Sequence, residues 1–280
     1  MIDLTSRNEP AKDRVSIRRP PNHRGLETLA AHYVRQSFKP HAHDEFVIGI
    51  IEVGAHAVWC RGEQHRVGGG TVVTMHPGEV HHGGAAVAEG WVQRMLYVSE
   101  DLMSQLIREA TDRPRVKPDF KTTFHLRPDL ATCFSHFHQV LHFSTLTLAR
   151  DVALDAIIRL LVEIICPTFN AEGGARPPDG RIASAVEFLE AHACDNVTID
   201  DLCAVSGLRR RQTIEAFKRC TGLPPHAYHV VLKVKAVKAM LRAGLSAAEA
   251  AAQAGFADQS HMTRHFVSIV GMTPGAYAQG

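Results

Sequence analysis

No stretch of the 280-residue chain approaches the roughly 20 uninterrupted apolar residues that a membrane helix requires. The first 24 residues are charged and hold no apolar core of the kind a secretory signal needs, so none is expected. The six cysteines, Cys60, Cys133, Cys166, Cys194, Cys203 and Cys220, form no C-x-x-C pair, which argues against a disulfide framework or a zinc ribbon. Several sit in apolar helical patterns where reduced core thiols belong, and a cytoplasmic protein is expected. There is also no phosphate loop and no nucleophile elbow, so no catalytic residue is assigned and no cofactor is called for. Net charge is only +2, which says little until it is divided, because a face rather than a total binds phosphate. Divided at Arg181, the balance is −1 before and +3 after, while 13 of the 18 histidines lie in the first part.

The 45% apolar content over this length suffices for two cores, and the pattern divides accordingly. Residues 1–24, with Arg14, Arg18, Arg19, Pro20 and Pro21, read as a mobile arm. From about Leu29 to Tyr97 short apolar runs alternate with turn signals: Phe46–Ile51, His56–Cys60, Thr71–Met75 and Trp91–Val98, separated by Arg61-Gly62, Gly68-Gly-Gly70 and Pro77-Gly78. Such spacing predicts a small antiparallel barrel or sandwich. Helices follow over 102–110, 130–143 and 150–165. The last carries Val152, Ala156, Ile157, Leu160, Leu161, Ile164 and Ile165 on one broad face that fits either a core or a dimer interface. Residues 168–180, rich in Gly and Pro, read as a linker between a sensing and dimerisation domain (25–167) and an all-helical domain (181–280).

Within the helical domain, Ser246 with Glu249 forms a capping box at a helix start, Gly255 supplies the positive φ of a tight turn, and Asp258 caps a helix from Gln259 to about Val270. Helix, short turn with Gly, helix is the helix-turn-helix outline. A second copy precedes it, with Thr198 and Asp201 as caps. Gly207, Phe217 and Gly222-Leu-Pro-Pro-His-Ala-Tyr228 are answered by Gly255, Phe266 and Gly271-Met-Thr-Pro-Gly-Ala-Tyr277. Between the copies a helix of about 18 residues, from Pro225 to about Ala243, would span about 27 Å, near the ~34 Å between successive major-groove faces on one side of DNA. Lys233, Lys235, Lys238 and Arg242 along it are candidates for the intervening phosphates, though each taken singly reads as a solvated surface charge.

The stretch from Arg181 to Tyr277, above all Ala254-Gly-Phe-Ala-Asp-Gln-Ser-His-Met-Thr-Arg-His-Phe266 and Gly271–Tyr277, resembles the AraC/XylS-type DNA-binding domain. The resemblance implies two helix-turn-helix units bridged by one helix, and promoter regulation as the activity. Carried over position by position, it places base-facing residues at Arg211, Ile214 and Glu215, with Lys218 near the backbone, and in the second unit at Gln259, Ser260, Thr263 and Arg264. Gln suits adenine and Arg guanine in the major groove. Glu215 stands where Arg is common in the family; in place of a guanine contact, a carboxylate there could accept from cytosine N4 or make no base contact. Thr213, Met262 and Ala250 replace larger or different residues at buried places and imply repacking.

His41-Ala-His43-Asp-Glu45, Gly54 and Gly70-Thr-Val-Val-Thr-Met-His-Pro-Gly-Glu-Val-His81 resemble, more weakly, the cupin-type sensing domain that precedes this module in many regulators. On a strand, residues 41, 43 and 45 share a face, so His41, His43 and Glu45 would point together with His81 nearby. Three uses stay open: an effector pocket, a divalent metal site bound by these N and O donors, or a purely structural lining. His138 and His142, at i and i+4 on a helix, are read as surface residues.

The fold expected is therefore α+β in two domains, a cupin-like β-barrel with flanking helices followed by an all-α double helix-turn-helix. The function expected is a sequence-specific DNA-binding transcriptional regulator whose promoter binding responds to a small molecule in the barrel. Expected partners are double-stranded DNA, a small-molecule effector, a second copy in a homodimer, and RNA polymerase as a further candidate. The alternative is a metal-dependent cupin oxygenase or isomerase fused to a DNA-binding module.

Overall fold

The computed structural model describes residues 12–111, 118–162 and 180–280, without the side chains of residues 111, 148, 210 and 211. Residues 1–11 of the expected arm, residues 163–167, Cys166 and linker residues 168–179 lie outside this description.

In chain order the first part comprises β1 (Arg14–Arg18), β2 (Leu26–Tyr33), β3 (Ser37–His41), β4 (Phe46–Cys60), β5 (Glu63–Gly68), β6 (Thr71–Met75), β7 (His81–Ala85), β8 (Trp91–Val98), α1 (Glu100–Thr111), β9 (Phe124–Leu126), α2 (Pro128–Phe143) and α3 (Thr147–Leu160). All pairings are antiparallel, in the order β1-β2-β8-β4-β6-β9, with β5 and β7 on the far half of β4 and β3 beyond β7. Long β4 serves both groups because its register slips between Ile51 and Val53, where a bulge re-aims the strand. Gly54 follows at φ +78°, and a Cβ there would clash with the Gly90 carbonyl oxygen. The strands do not close: β1 and β9 end the main path as separate edges, so the expected barrel is an open two-layer sheet.

Side-chain alternation along the strands fixes two cores. One face, with Val47, Ile51, Val73 and Met95, packs between the layers against Val58, Val67 and Trp91. The opposite face, with Phe46, Ile48, Ile50, Val72, Leu96 and Val98, is covered by α1, α2 and α3 through Met103, Phe134, Leu154 and Ile157. Burial on both faces is why these strands read as continuous apolar runs. His138 and His142 belong to this buried layer, at 0% and 4% exposure, which corrects their surface assignment. They face the sheet from α2: His142 shares hydrogen bonds with the hydroxyls of Thr28 (2.7 Å) and Ser16 (3.0 Å), and His138 lies 3.3 Å from the Met95 carbonyl.

The second part is helical: α4 (Gly180–Ala191), α5 (Ile199–Ser206), α6 (Arg210–Thr221), α7 (Pro225–Arg242), α8 (Ala247–Gln253), α9 (Gln259–Val270) and α10 (Pro274–Gln279). Both capping boxes form, the N–H of Asp201 donating to the Thr198 hydroxyl and that of Glu249 to the Ser246 hydroxyl at 3.3 Å each. Gly207 and Gly255 take φ of +65° and +68°. The described part of the arm is not free: β1 pairs with β2 over five residues, and Ile17 is buried against Val234, Val237 and Tyr277 of the helical part. This described part is held because Val15 and Ile17 find cover in both parts.

Candidate functional site

The DNA-facing candidates lie on α6 and α9, the second helices of the two helix-turn-helix units. Asp258 caps α9 by accepting from the His261 N–H at 2.6 Å, and the buried stripe Met262, Phe266 and Ile269 turns the other face outward. Gln259, Ser260 and Arg264 are exposed on that outer face, and Thr263 is half-buried. On α6, Thr213 and Phe217 are buried while Ile214, Glu215 and Lys218 are exposed; the Arg211 side chain lies outside the description. The replacements noted in sequence are accommodated inside: Ala250, Met262 and Thr213 are all fully buried. Thr213 satisfies its hydroxyl within the first unit, 3.2 Å from the Arg209 carbonyl and 3.3 Å from the Ser206 hydroxyl.

The cations of the connector α7 all have partners within the protein. Lys235 pairs with Asp44 at 2.9 Å, Lys238 lies 3.5 Å from Glu45, Arg242 pairs with Glu27, and Lys233 donates to the Gly255 carbonyl at 2.7 Å. Three of the four phosphate candidates are thus taken up by carboxylates of the sensing domain. Glu27, buried on β2, is the centre of this cluster. Its Oε1 accepts from the Tyr277 hydroxyl (2.7 Å) and from Arg19 Nε (2.8 Å), while Arg242 Nε donates to the Tyr277 hydroxyl at 2.9 Å. Arg19 stacks over the Tyr277 ring at 4.1 Å. Burial pushes the Glu27 pKa up, but Lys238, Arg242, Arg19 and Tyr277 together outweigh it and hold the carboxyl below its usual range. Lys238 is raised, its burial outweighed by Glu45 and Glu27. Glu27 was not singled out in sequence, and Arg19 and Tyr277 were noted only as parts of the arm and of the repeat. The signal was a lone acid in the apolar run Leu26-Glu-Thr-Leu-Ala-Ala-His-Tyr33.

Of the four sensing-domain candidates, three converge. Register sets His41 on β3 opposite His81 on β7, and His43 folds back beside them, with ring centroids 4.4, 4.9 and 5.1 Å apart. Glu45 does not join. The strand ends at His41, so residues 41, 43 and 45 do not alternate along one face, and Glu45 turns to Lys238 instead. Two imidazoles are oriented by backbone: His41 Nδ1 donates to the Lys39 carbonyl (2.7 Å) and His81 Nδ1 to the Glu79 carbonyl (2.9 Å). Because a carbonyl only accepts, Nε2 is the lone-pair nitrogen of each. Burial is the largest cause that lowers all three pKa values, His41 to about 3; cluster imidazoles add to it at His41 and His43, and His82 does so at His81.

Two cavities meet at His43 and Tyr97. One, about 60 Å³ between the sheet layers, is lined by the three histidines with Tyr33, Phe38 and Met95, and reaches Ile269 and Val270 at the end of α9. The other, about 260 Å³, lies between the sheet and α7 among Glu27, Glu45, Lys238, Arg242 and Tyr277, with Leu29, Val231 and Val234 as apolar walls. The described cysteines are all free, and no described helix is long and apolar enough to cross a membrane.

Comparison with known proteins places this arrangement. Residues 23–162 match the AraC-like ligand binding domain and residues 202–280 a helix-turn-helix domain. A relative, the uncharacterized HTH-type transcriptional regulator YbfI of Bacillus subtilis, is 27% identical over 242 residues, covering 86% of each chain. Among solved structures, ToxT from Vibrio cholerae O395 shares the fold at TM-score 0.57 and 10% identity, over 91% of this chain and 97% of that one. ToxT of strain SCE256 bound to an unsaturated fatty acid aligns at TM-score 0.55 and 12% identity, over 98% and 97%. A sheet-rich domain of the AraC-like ligand-binding type joined to a double helix-turn-helix makes this chain a member of the AraC family of transcriptional regulators.

Proposed function

We propose that the cleft between the sheet and α7 takes an apolar carboxylic acid, and that this acid sets how firmly the sensing domain holds the DNA-binding half. The observation that carries the reading is the set of three connector cations bound to Glu27, Asp44 and Glu45 across a 260 Å³ cavity with apolar walls. An incoming carboxylate competes for Lys238 and Arg242, and its hydrocarbon body fits against Leu29, Val231 and Val234. Two ToxT structures point to the same chemical class, one with an unsaturated fatty acid and one with (E)-4-(8-methylnaphthalen-1-yl)but-3-enoic acid. A ligand moves such an equilibrium only through different affinity for its two states, and exchanging one set of carboxylates for another supplies that difference.

In this reading Gln259, Ser260, Thr263 and Arg264 read bases in one major groove, and Arg211, Ile214, Glu215 and Lys218 face the next. Val152 and Leu146, exposed on and before α3, form part of a homodimer face. RNA polymerase is the further partner, the compartment is the cytoplasm, and the protein is no enzyme.

The test is to select the preferred DNA from genomic fragments and measure its affinity with and without a long-chain unsaturated fatty acid. A shift on the order of 5–150-fold is expected, the usual range for coupled sites. It should vanish in Lys238→Ala. An equal shift in Lys238→Ala and Arg242→Ala, or none in the native protein, overturns the cleft as the effector site.

A further inference from the structure

We propose that His41, His43 and His81 form a divalent metal site of the zinc class, with one coordination position left open toward the small cavity under α9. The inference goes beyond the acid-binding cleft and does not depend on it.

Geometry makes the case. One ring nitrogen from each of the three histidines lies within 4.8 Å of the other two. In a tetrahedral zinc site with Zn–N bonds of about 2.0–2.1 Å, such nitrogens are about 3.3 Å apart. Closing the remaining gap needs movements of about 1.5 Å at most, within the reach of side-chain rotation. Two tautomers are already set, because the Lys39 and Glu79 carbonyls take the Nδ1 protons of His41 and His81 and leave Nε2 of each as the lone-pair nitrogen. An outer hydrogen bond of this kind fixes tautomer and ring orientation in metal-binding histidines.

The surroundings decide what kind of site this is. Neither nearby carboxylate is available as a fourth ligand. Glu45 is committed to Lys238, and Glu79 accepts from Cys60, Arg61 and Thr123 at 2.8–3.0 Å. Three imidazole nitrogens and no carboxylate match the open three-histidine sites of zinc, not an oxygen-rich calcium or magnesium cage. The cavity volume supports the same choice: about 60 Å³ holds an ion with one or two small ligands, whereas organic ligands of drug size occupy about 300–1,000 Å³. Ile269 and Val270 line this cavity, so a group in the open position would touch the end of the helix that carries Arg264. His43 also lines the larger cleft, and its movement on binding metal would be felt there.

The experiment uses the full-length protein stripped with a chelator and titrated with Co²⁺, whose visible absorption distinguishes tetrahedral from octahedral coordination. With 18 histidines in the chain, adventitious binding is expected, so the quantity read is the difference between the native protein and variants. One equivalent with an intense tetrahedral-type spectrum, displaced by Zn²⁺, is expected for the native protein. His43→Gln and His81→Gln should each weaken it by more than the roughly 10–100-fold that loss of an outer-shell partner costs. Equal binding by the variants, an octahedral spectrum only, or no binding overturns the proposal. Should either variant fail to fold, as metal-free melting curves would show, X-ray absorption on the zinc-loaded native protein decides. Three imidazole nitrogens in the first shell support the site, and one or two refute it. None of these readings involves DNA, so they stand apart from the cleft's test.

Discussion

The two helix-turn-helix units share an outline but not an environment. The first, α5 with α6, packs around Leu202, Phe217 and Leu232 with help from α4, and every member of that core belongs to the helical half. The second, α8 with α9, packs around Met262, Phe266 and Tyr277, and its core includes Ile17 of the N-terminal strand. Gly271, just past α9, lies so close to Tyr33 and Phe38 that a Cβ there would come within 2.5 Å of the Tyr33 hydroxyl. A repeat that sequence presents as symmetric is therefore asymmetric in coupling. The sensing domain holds one reading head firmly and the other lightly, with Gly222 near Val80 as a peripheral contact of the first unit.

The sharpest test is to empty each core in turn. Phe217 and Phe266 are both fully buried and occupy equivalent places, so Phe→Ala at either should cost about 3–5 kcal/mol locally. In urea melts followed separately by Trp fluorescence, which reports Trp59 and Trp91 of the sensing domain, and by helical circular dichroism, Phe217→Ala should separate the two transitions. Phe266→Ala should shift both together. Two variants with the same pattern would show the coupling to be equal.

Next comes the ionic tie. Glu27→Gln leaves Arg242, Arg19 and Lys238 facing each other in a half-buried site, and losing one partner of a buried pair costs about 3 kcal/mol or more. Acid should reproduce the effect. The folded pKa of Glu27 is depressed, so its contribution is fully present above the unfolded value of about 4.5 and is lost as pH falls through the folded value below it. Stability of the native chain should drop over that window, and the drop attributable to Glu27 should be missing in Glu27→Gln. The first unit has no comparable tie to the sensing domain among the described residues.

DNA reading offers a smaller but more direct contrast. Arg264→Ala should weaken specific binding by about 1–3 kcal/mol and relax preference at one base pair, measured by competition among single-base operator variants. Glu215→Ala on α6 should change affinity far less. Uniform weakening over all sequences by Arg264→Ala would reduce that residue to a phosphate contact, and a larger effect at Glu215 would reverse the ranking of the two heads.

What could be read from sequence follows from the range of the interactions. Caps and turns are local, so Ser246, Gly255 and Asp258 announced α8 and α9 with boundaries that hold in the structure. Apolar runs announced Thr71–Met75 and Trp91–Val98 for the same reason. Strand β7, His-His-Gly-Gly-Ala, carries no apolar alternation and was invisible, although it supplies His81 and the pairing partner of β3. The burial of His138 and His142 depends on Thr28, Ser16 and Met95, more than 40 residues away, and no helical pattern reports that. The connector cations are the most instructive case. A Lys or Arg on a helix face reads alike whether it meets solvent, phosphate or carboxylate, and only the fold reveals Glu27 opposite Arg242.

The caps give the smallest contrast and the cleanest control. Thr198 and Ser246 hold the same place in the two units, each exposed and each closing a capping box with the acid three residues on, Asp201 and Glu249. Because a cap acts only on its own helix start, Thr198→Ala and Ser246→Ala should each cost about 1 kcal/mol, within the usual 0.5–2. The two losses should be nearly equal, since neither cap touches the sensing domain. Where the losses go should differ: hydrogen exchange should show faster opening confined to α5 and α6 in Thr198→Ala, whereas in Ser246→Ala it should extend from α8 and α9 into β1, whose Ile17 shares their core. Exchange confined to α8 and α9 would mean that the shared core does not transmit even a small local loosening, and the asymmetry would then rest on the Glu27 cluster alone.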